Sequence, residues 1–396
     1  FDYTTIGNRF KHWIKESWQH EFNFGVSIRD RKTVDPDDGQ LGTMPAPYDA
    51  FSLDWMNFYN KGQQVPVFES PWGAADYSYK GTNYDLDYRH TFLATGERFS
   101  DIFTAGFEYL YQDYDQKGTL GVLNKNISTA SVYIHNQTLF LDDALSLNAG
   151  LRYDNQKETD ASTTGMVGVA YDIVPAGLIL RSHFGSAFRA PSVFELYSPS
   201  GNLGLEPEKS KSYELGIEKY VLDKRLRFRL GYWFTDVNDV IIWVMTDPAT
   251  FSGEYRNFDE AESKGIEFTL DARPHENWRL GFNYTYTDSR KFDTAAAKWS
   301  RNVLLPFNKL NLNLTWLYRE GSVSVDGYWV DDTRLRWNGV DKMDSYFKMD
   351  LTGRIPFHKK FTGTLRVRNL FDKDYYEGMG IREAGIGIFA GIELNL

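Results

Sequence analysis

The chain has 396 residues, with 44 Lys+Arg against 54 Asp+Glu and a net charge of −10. That balance argues against a nucleic-acid or anionic-membrane surface as its main business. The absence of cysteine excludes disulfide staples, thiolate zinc sites and cysteine nucleophiles. Aromatics reach 16% while the mean hydropathy is −0.48, and no apolar stretch approaches the length of a transmembrane helix. Residues 1–20 hold no apolar h-region, so no signal peptide is read there. Polar on average, aromatic and cysteine-free, the chain suits a transmembrane β-barrel, whose strands show only alternate residues to lipid.

Along the chain the dominant period is two. Leu145, Leu147, Ala149, Leu151 and Tyr153 alternate with polar or small neighbours, as do Leu226, Phe228, Leu230 and Tyr232. Trp278, Leu280, Phe282, Tyr284 and Tyr286 do the same, followed by Leu310, Leu312, Leu314, Trp316 and Tyr318. About sixteen strands are predicted on this pattern. They lie near 18–30, 82–94, 99–113, 128–141, 144–155, 164–174, 177–188, 210–222, 225–235, 261–273, 277–288, 308–319, 321–330, 344–356, 361–371 and 386–396. Residues 1–17 read as a lead-in segment or partial strand, and 18–396 as one barrel.

The connections alternate in length. Short ones fall at 95–98, 142–143, 175–176, 223–224, 274–276, 320 and 357–360. Long ones fall at 31–81, 114–127, 156–163, 189–209, 236–260, 289–307, 331–343 and 372–385. Short turns on one rim and long loops on the other are the build of an outer-membrane barrel, with periplasmic turns and extracellular loops. Tyr284/Tyr286, Tyr232/Trp233/Phe234, Trp316/Tyr318 and Tyr328/Trp329 are placed at the long-loop ends, where an interfacial aromatic girdle belongs. The predicted class is an all-β, antiparallel transmembrane barrel.

Residues 183–220 read HFGSAFRAPSVFELYSPSGNLGLEPEKSKSYELGIEKY. Phe188, Arg189, Ala190 and Pro191, followed by Glu195, Leu196 and Tyr197, resemble the FRAP…ELY segment of the TonB-dependent receptors. Leu205, Glu206, Pro207, Glu208 and Tyr213-Glu214-Leu215-Gly216 are similar to the next family segment. Arg256-Asn257-Phe258 through Lys264-Gly265-Ile266-Glu267, and Asn369-Leu370-Phe371-Asp372, resemble two more. The resemblance implies a Gram-negative outer-membrane importer of a scarce, large nutrient: a ferric siderophore first, cobalamin next and haem third. It also implies a 22-stranded barrel, a plug domain and a segment that engages periplasmic TonB. The plug is expected to lie outside this chain, and another polypeptide or further strands would then complete the wall.

Read physically, these motifs are structural. Pro191 and Pro207 lack an amide donor and mark strand exits and entries. Arg189, Glu195 and Glu208 are close enough to pair at a hairpin mouth, and Asn369 to Asp374 holds turn formers that end a strand. The expected ligand contacts are loop aromatics: Trp55, Tyr59, Trp72, Trp243, Tyr255, Trp299 and Trp337. They offer large rigid faces at low entropy cost. The loop at 31–81 sets Asp35, Asp37, Asp38, Asp54, Glu69 and Asp76 beside its aromatics, which suits a neutral or weakly charged chelate over an anionic catecholate.

None of the seven histidines forms an i, i+2 or i, i+4 pair, so no metal site is expected. Residues 191–206 lack the His that haem receptors of the family carry. The acidic run from Asp35 could suit calcium, but Ala46 stands where an EF-hand needs Glu. No catalytic motif stands out, so no enzyme and no cofactor are expected. The expected partners are outer-membrane lipid, TonB and a small metal chelate, with no nucleic acid. The competing readings are a passive sixteen-stranded porin and, more remotely, a soluble β-rich adhesin.

Overall fold

The computed structural model describes residues 2–35, 40–45, 60, 62–68, 75–118, 121–247, 252–293, 298–331, 333–334, 342–378 and 381–394. All sixteen predicted strands form, and residues 1–17 add a paired strand before them. In chain order they begin β1 Asp2–Lys15, β2 Trp18–Asp35, β3 Ala75–Thr95, β4 Phe99–Gly118, β5 Leu123–Phe140 and β6 Leu145–Gln156. Next come β7 Ser162–Ile173, β8 Leu178–Arg189, β9 Glu208–Val221, β10 Leu226–Asp247, β11 Ser252–His275 and β12 Trp278–Asp293. The last are β13 Asn308–Tyr318, β14 Gly321–Val330, β15 Tyr346–His358, β16 Phe361–Arg368 and β17 Gly387–Leu394.

Each strand pairs antiparallel with the next, making one continuous wall. Among the described residues β1 and β17 are not paired with each other. Both run from the long-loop rim to the short-turn rim, so side by side they would be parallel. An antiparallel wall with these two edges closes only through an odd number of further strands. The sixteen-strand closure of the porin reading is not formed.

The short turns are set by local backbone chemistry. Leu141, Asp142 and Asp143 all have positive φ, as do Leu222, Asp223 and Lys224, and Asp is among the residues that tolerate this region best. At Gly177, with φ of 55°, a Cβ would lie 2.9 Å from the Tyr220 carbonyl oxygen. Two expectations are corrected at the rims. The loops expected at 114–127, 156–163 and 236–260 are mostly strand: β4 runs to Gly118 and β5 starts at Leu123, β6 runs to Gln156 and β7 starts at Ser162, and β10 runs to Asp247 and β11 starts at Ser252. Outside lipid the ladder simply continues, because paired backbone is favoured and the run Val240-Ile241-Ile242-Trp243-Val244 has high β-propensity. Trp316 and Tyr318, expected at the long-loop rim, sit at the short-turn rim, where Trp316 stacks on Trp278 at 6.3 Å.

Side-chain alternation sorts the two faces. Leu312, Leu314 and Trp316 are exposed on one face, while Asn313 bonds Asp326 at 2.6 Å and Thr315 meets Ser324 at 2.9 Å on the other. The polar face is linked strand to strand. Arg9 and Arg89 both bond Glu21, at 2.7 and 2.6 Å, and the Tyr133 hydroxyl donates to Asp87. Further round, Arg152 pairs with Glu108 and Asp154, and Arg181 and Arg227 converge on Glu218. Such charges are tolerated on a lumen face and costly toward lipid. Leu312→Arg should therefore destabilise the vesicle-inserted protein by about 2–4 kcal/mol, whereas Asn311→Arg on the lumen face should cost less than about 1 kcal/mol. Urea titration followed by tryptophan fluorescence measures both.

Candidate functional site

The family-like segment folds into a strut across the mouth of the wall. At the end of β8, the Arg189 guanidinium donates to both Glu195 oxygens, at 2.9 and 3.1 Å, and to both Glu208 oxygens, at 2.9 and 2.7 Å. Glu195 sits in helix α1 (Val193–Tyr197), which Ser192 starts with a capping box. The Ser192 hydroxyl accepts from the Glu195 N–H, and the Ser192 N–H donates back to the Glu195 carboxylate. Glu208 Oε1 also accepts from the Ile241 N–H at 2.7 Å, tying β9 to β10.

From the helix the loop is fastened onto the β10–β11 hairpin. Asn257 Nδ2 donates to the carbonyls of Glu206 and Asp239, and its Oδ1 accepts from the Glu206 N–H. Asn202 Nδ2 donates to the Tyr255 carbonyl, while the Tyr255 N–H donates to that of Ser200. Beneath lies an apolar knot of Ile127, Leu196, Leu205 and Ile241, all buried, with Val193, Tyr197 and Tyr255 around it. Pro191 and Pro207 are completely buried. The strut thus reaches from β5, through Ile127, to β10, through Ile241, on the polar inner face.

Three aromatic groups edge the same rim. Tyr77, Tyr79 and Tyr114 cluster on β3 and β4, with ring centroids 5.2 and 6.3 Å apart. Phe194 of the helix meets Tyr255 edge-on at 6.2 Å. Across the wall, Tyr346 stacks on Tyr375 at 4.5 Å, and the Lys348 ammonium lies over Tyr328 and Tyr375 while pairing with Glu377. Asn369 organises that corner: buried, it accepts from the Lys373 N–H and donates to the Lys373 carbonyl, while its own N–H donates to Asp350. Leu370 and Phe371 are exposed beside it. Lower on the inner wall is a recess of about 600 Å³, floored by Gly168, Gly216 and Gly231 and edged by His183, Glu214, Trp233 and Glu267. The Trp233 ring lies flat against the wall over Gly265, where a Cβ would come within 2.2 Å of it.

Among the expected ligand contacts, Trp55, Tyr59, Trp72 and Trp337 lie outside the described residues. Trp243 and Tyr255 are strand partners, Trp243 on β10 and Tyr255 on β11, rather than loop residues, and Trp243 is well exposed. Trp299 stands on a short strand, Lys298–Arg301, added to the top of β12, with its ring edge-on to Phe292. Ala190 and Tyr197 belong to the strut, where Lys125 sits 4.7 Å above the Tyr197 ring. The Tyr346–Tyr375–Lys348 corner had no local signal, because its members come from separate segments. Among the described residues no three His, Asp or Glu side chains converge on a metal position.

Burial works to raise the Glu195 pKa, but the bonds from Arg189 and Ser192 outweigh it and hold the carboxyl below the usual range. Its contribution to the strut is therefore complete above about pH 4.3, the ordinary glutamate value, and is lost as pH falls through the lowered one. Chymotrypsin-type cleavage after Phe194 or Tyr197, probed with an acid-tolerant protease as well, should stay slow from pH 7 to about 5 and accelerate only below about 4. Arg189→Ala leaves two carboxylates facing each other without their counter-charge. It should loosen the strut by about 1–2 kcal/mol, seen as faster cleavage there at pH 7 with the strands still protected.

The profile of the TonB dependent receptor-like β-barrel family matches residues 1–370. Over 274 residues the chain is 26% identical to the vitamin B12 transporter BtuB of Photobacterium profundum, covering 68% of this chain and 43% of that protein. It therefore spans less than half of that relative's length. Among solved structures, the ferric enterobactin receptor PfeA of Pseudomonas aeruginosa superposes with a TM-score of 0.72 at 16% identity, covering 98% of this chain and 62% of that one. The ferric preacinetobactin receptor BauA of Acinetobacter baumannii gives 0.71 at 14% identity, with 99% and 62% covered. With its antiparallel wall, inward polar face and strutted mouth, the chain belongs to the TonB-dependent receptor β-barrel family.

Proposed function

We propose that these strands are the barrel of an outer-membrane importer that takes up a bulky, neutral or weakly charged metal chelate in a TonB-dependent way. The observation that carries this reading is the mouth. A strut clamped by Arg189, Asn202 and Asn257 holds Phe194, Tyr197 and Tyr255 at the inner rim, beside the exposed Trp243. Rigid aromatic faces around a polar lumen suit a large ligand that must be held and then released inward. Cobalamin and ferric hydroxamate siderophores have the right size and charge. Vitamin B12 is named for the sequence relative above, and ferric enterobactin and ferric preacinetobactin for the two structural neighbours. In this reading periplasmic TonB supplies the energy by acting on a plug domain, and the barrel itself performs no covalent step.

Uptake by intact cells decides between this and passive diffusion. Cells producing the full-length protein should accumulate radiolabelled cobalamin or a ferric hydroxamate, and accumulation should vanish when TonB is deleted or the proton-motive force is collapsed. Accumulation indifferent to both treatments would support the porin reading instead. Trp243→Ala should weaken equilibrium binding of the transported chelate by about 1–2 kcal/mol, as for an interface anchor. Trp278→Ala, at the opposite rim, should leave binding unchanged.

A further inference from the structure

Three of the seven histidines meet in a row that no sequence spacing announces. His12 of β1 stands opposite His20 of β2, which stands opposite His90 of β3. All three share the outward parity with Phe10, Phe22, Tyr88 and Phe92, close above the short turn at 16–17. Trp18 and Phe92 stack at 5.5 Å on their turn side, so the row lies in the interfacial band where water and phospholipid headgroups reach the wall.

The first two rings hydrogen-bond to each other, and a metal ion would take the place of the shared proton by engaging both nitrogens at once. His12 Nδ1 is 3.0 Å from His20 Nε2, with ring centroids 5.1 Å apart and planes at 70°. Two nitrogens on cis positions of a tetragonal metal, each about 2.0–2.1 Å from it, are about 3.0 Å apart, whereas a tetrahedral site asks for about 3.3 Å. The neighbours already orient the pair. Tyr88 Oη lies 3.3 Å from His20 Nδ1, the outer-shell contact that fixes a ligating imidazole. The Trp18 Nε1–H donates to His90 Nδ1 at 3.0 Å, and the His90 ring stacks on His20 at 6.1 Å. His90 is thereby a positioning residue and not a ligand.

We propose that His12 and His20 bind one divalent transition-metal ion of the copper–nickel type, with water completing its coordination. Because no third His, Asp or Glu converges among the described residues, the site is exchangeable rather than closed. Bound metal would cross-link β1 to β2 at the membrane boundary.

The test uses the full-length protein purified from outer membranes in detergent and titrated with copper sulfate, followed by electron paramagnetic resonance. The wild type should bind one Cu²⁺ tightly, with hyperfine structure from two imidazole nitrogens. His12→Gln and His20→Gln should each remove that pattern and weaken binding by about a hundredfold, since the second ligand acts intramolecularly. His90→Gln should keep the two-nitrogen signal. Binding in the His12→Gln/His20→Gln double variant equal to that of the wild type would overturn the proposal, as would a wild-type spectrum of aqueous copper alone. All three side chains lie at the surface of the sheet, so circular dichroism of the variants should match the wild type.

Discussion

In the hydrocarbon of a bilayer no water is present to pair with backbone amides and carbonyls, so every strand must find a partner on both sides. The rest of the structure depends on that constraint. It makes the wall continuous from β1 to β17, and it makes the two outer edges the least tolerable places in the molecule. Because both edge strands run in the same direction, they cannot satisfy each other in an antiparallel wall. Five further strands would meet the odd-number condition and give the 22 of plugged outer-membrane transporters. A lumen of that width admits both a plug and a bulky chelate, which a narrower closure would not.

The same alternation that pairs the backbone divides the side chains. Arg9, Glu21, Arg89 and Asp87 can be charged at membrane depth because the pleat turns them inward, where each finds a partner on a neighbouring strand, Asn23 in the case of Asp87. The outward positions carry mainly leucine, isoleucine and aromatic residues, with His12, His20 and His90, and Asp101 bonded by Asn136 and Thr138, among the polar departures towards the short-turn rim. At the mouth, outside lipid, the chain is free to leave the ladder. There the family segments act as fasteners: Arg189 gathers two carboxylates, and Asn257 and Asn369 close loops with backbone bonds. In the proposed function their part is to hold aromatic side chains still.

Much of this was legible in the residues. The period of two and the alternation of loop lengths were enough to place sixteen strands, and the Arg189, Glu195 and Glu208 cluster pairs as its composition suggests. What could not be read depends on register and on the third dimension. The outward extension of β10 and β11 follows from pairing Trp243 with Tyr255 across a gap that sequence reads as loop. The Tyr346–Tyr375 stack joins a residue of β15 to one that lies beyond the Asn369 turn. The histidine row arises because β1 and β3 flank β2 in a register that no local pattern specifies.

The open seam between β1 and β17 is the central claim, and the cysteine-free sequence makes it directly measurable. In the full-length protein in outer membranes, Ile6→Cys paired with Val26→Cys should oxidise readily, since those residues are cross-strand partners. Ile6→Cys combined in turn with cysteine at Ile388, Ala390 or Ile392 should form no disulfide, because the two edges are not paired with each other. Efficient cross-linking of any of those three pairs would place β1 against β17 and contradict the account.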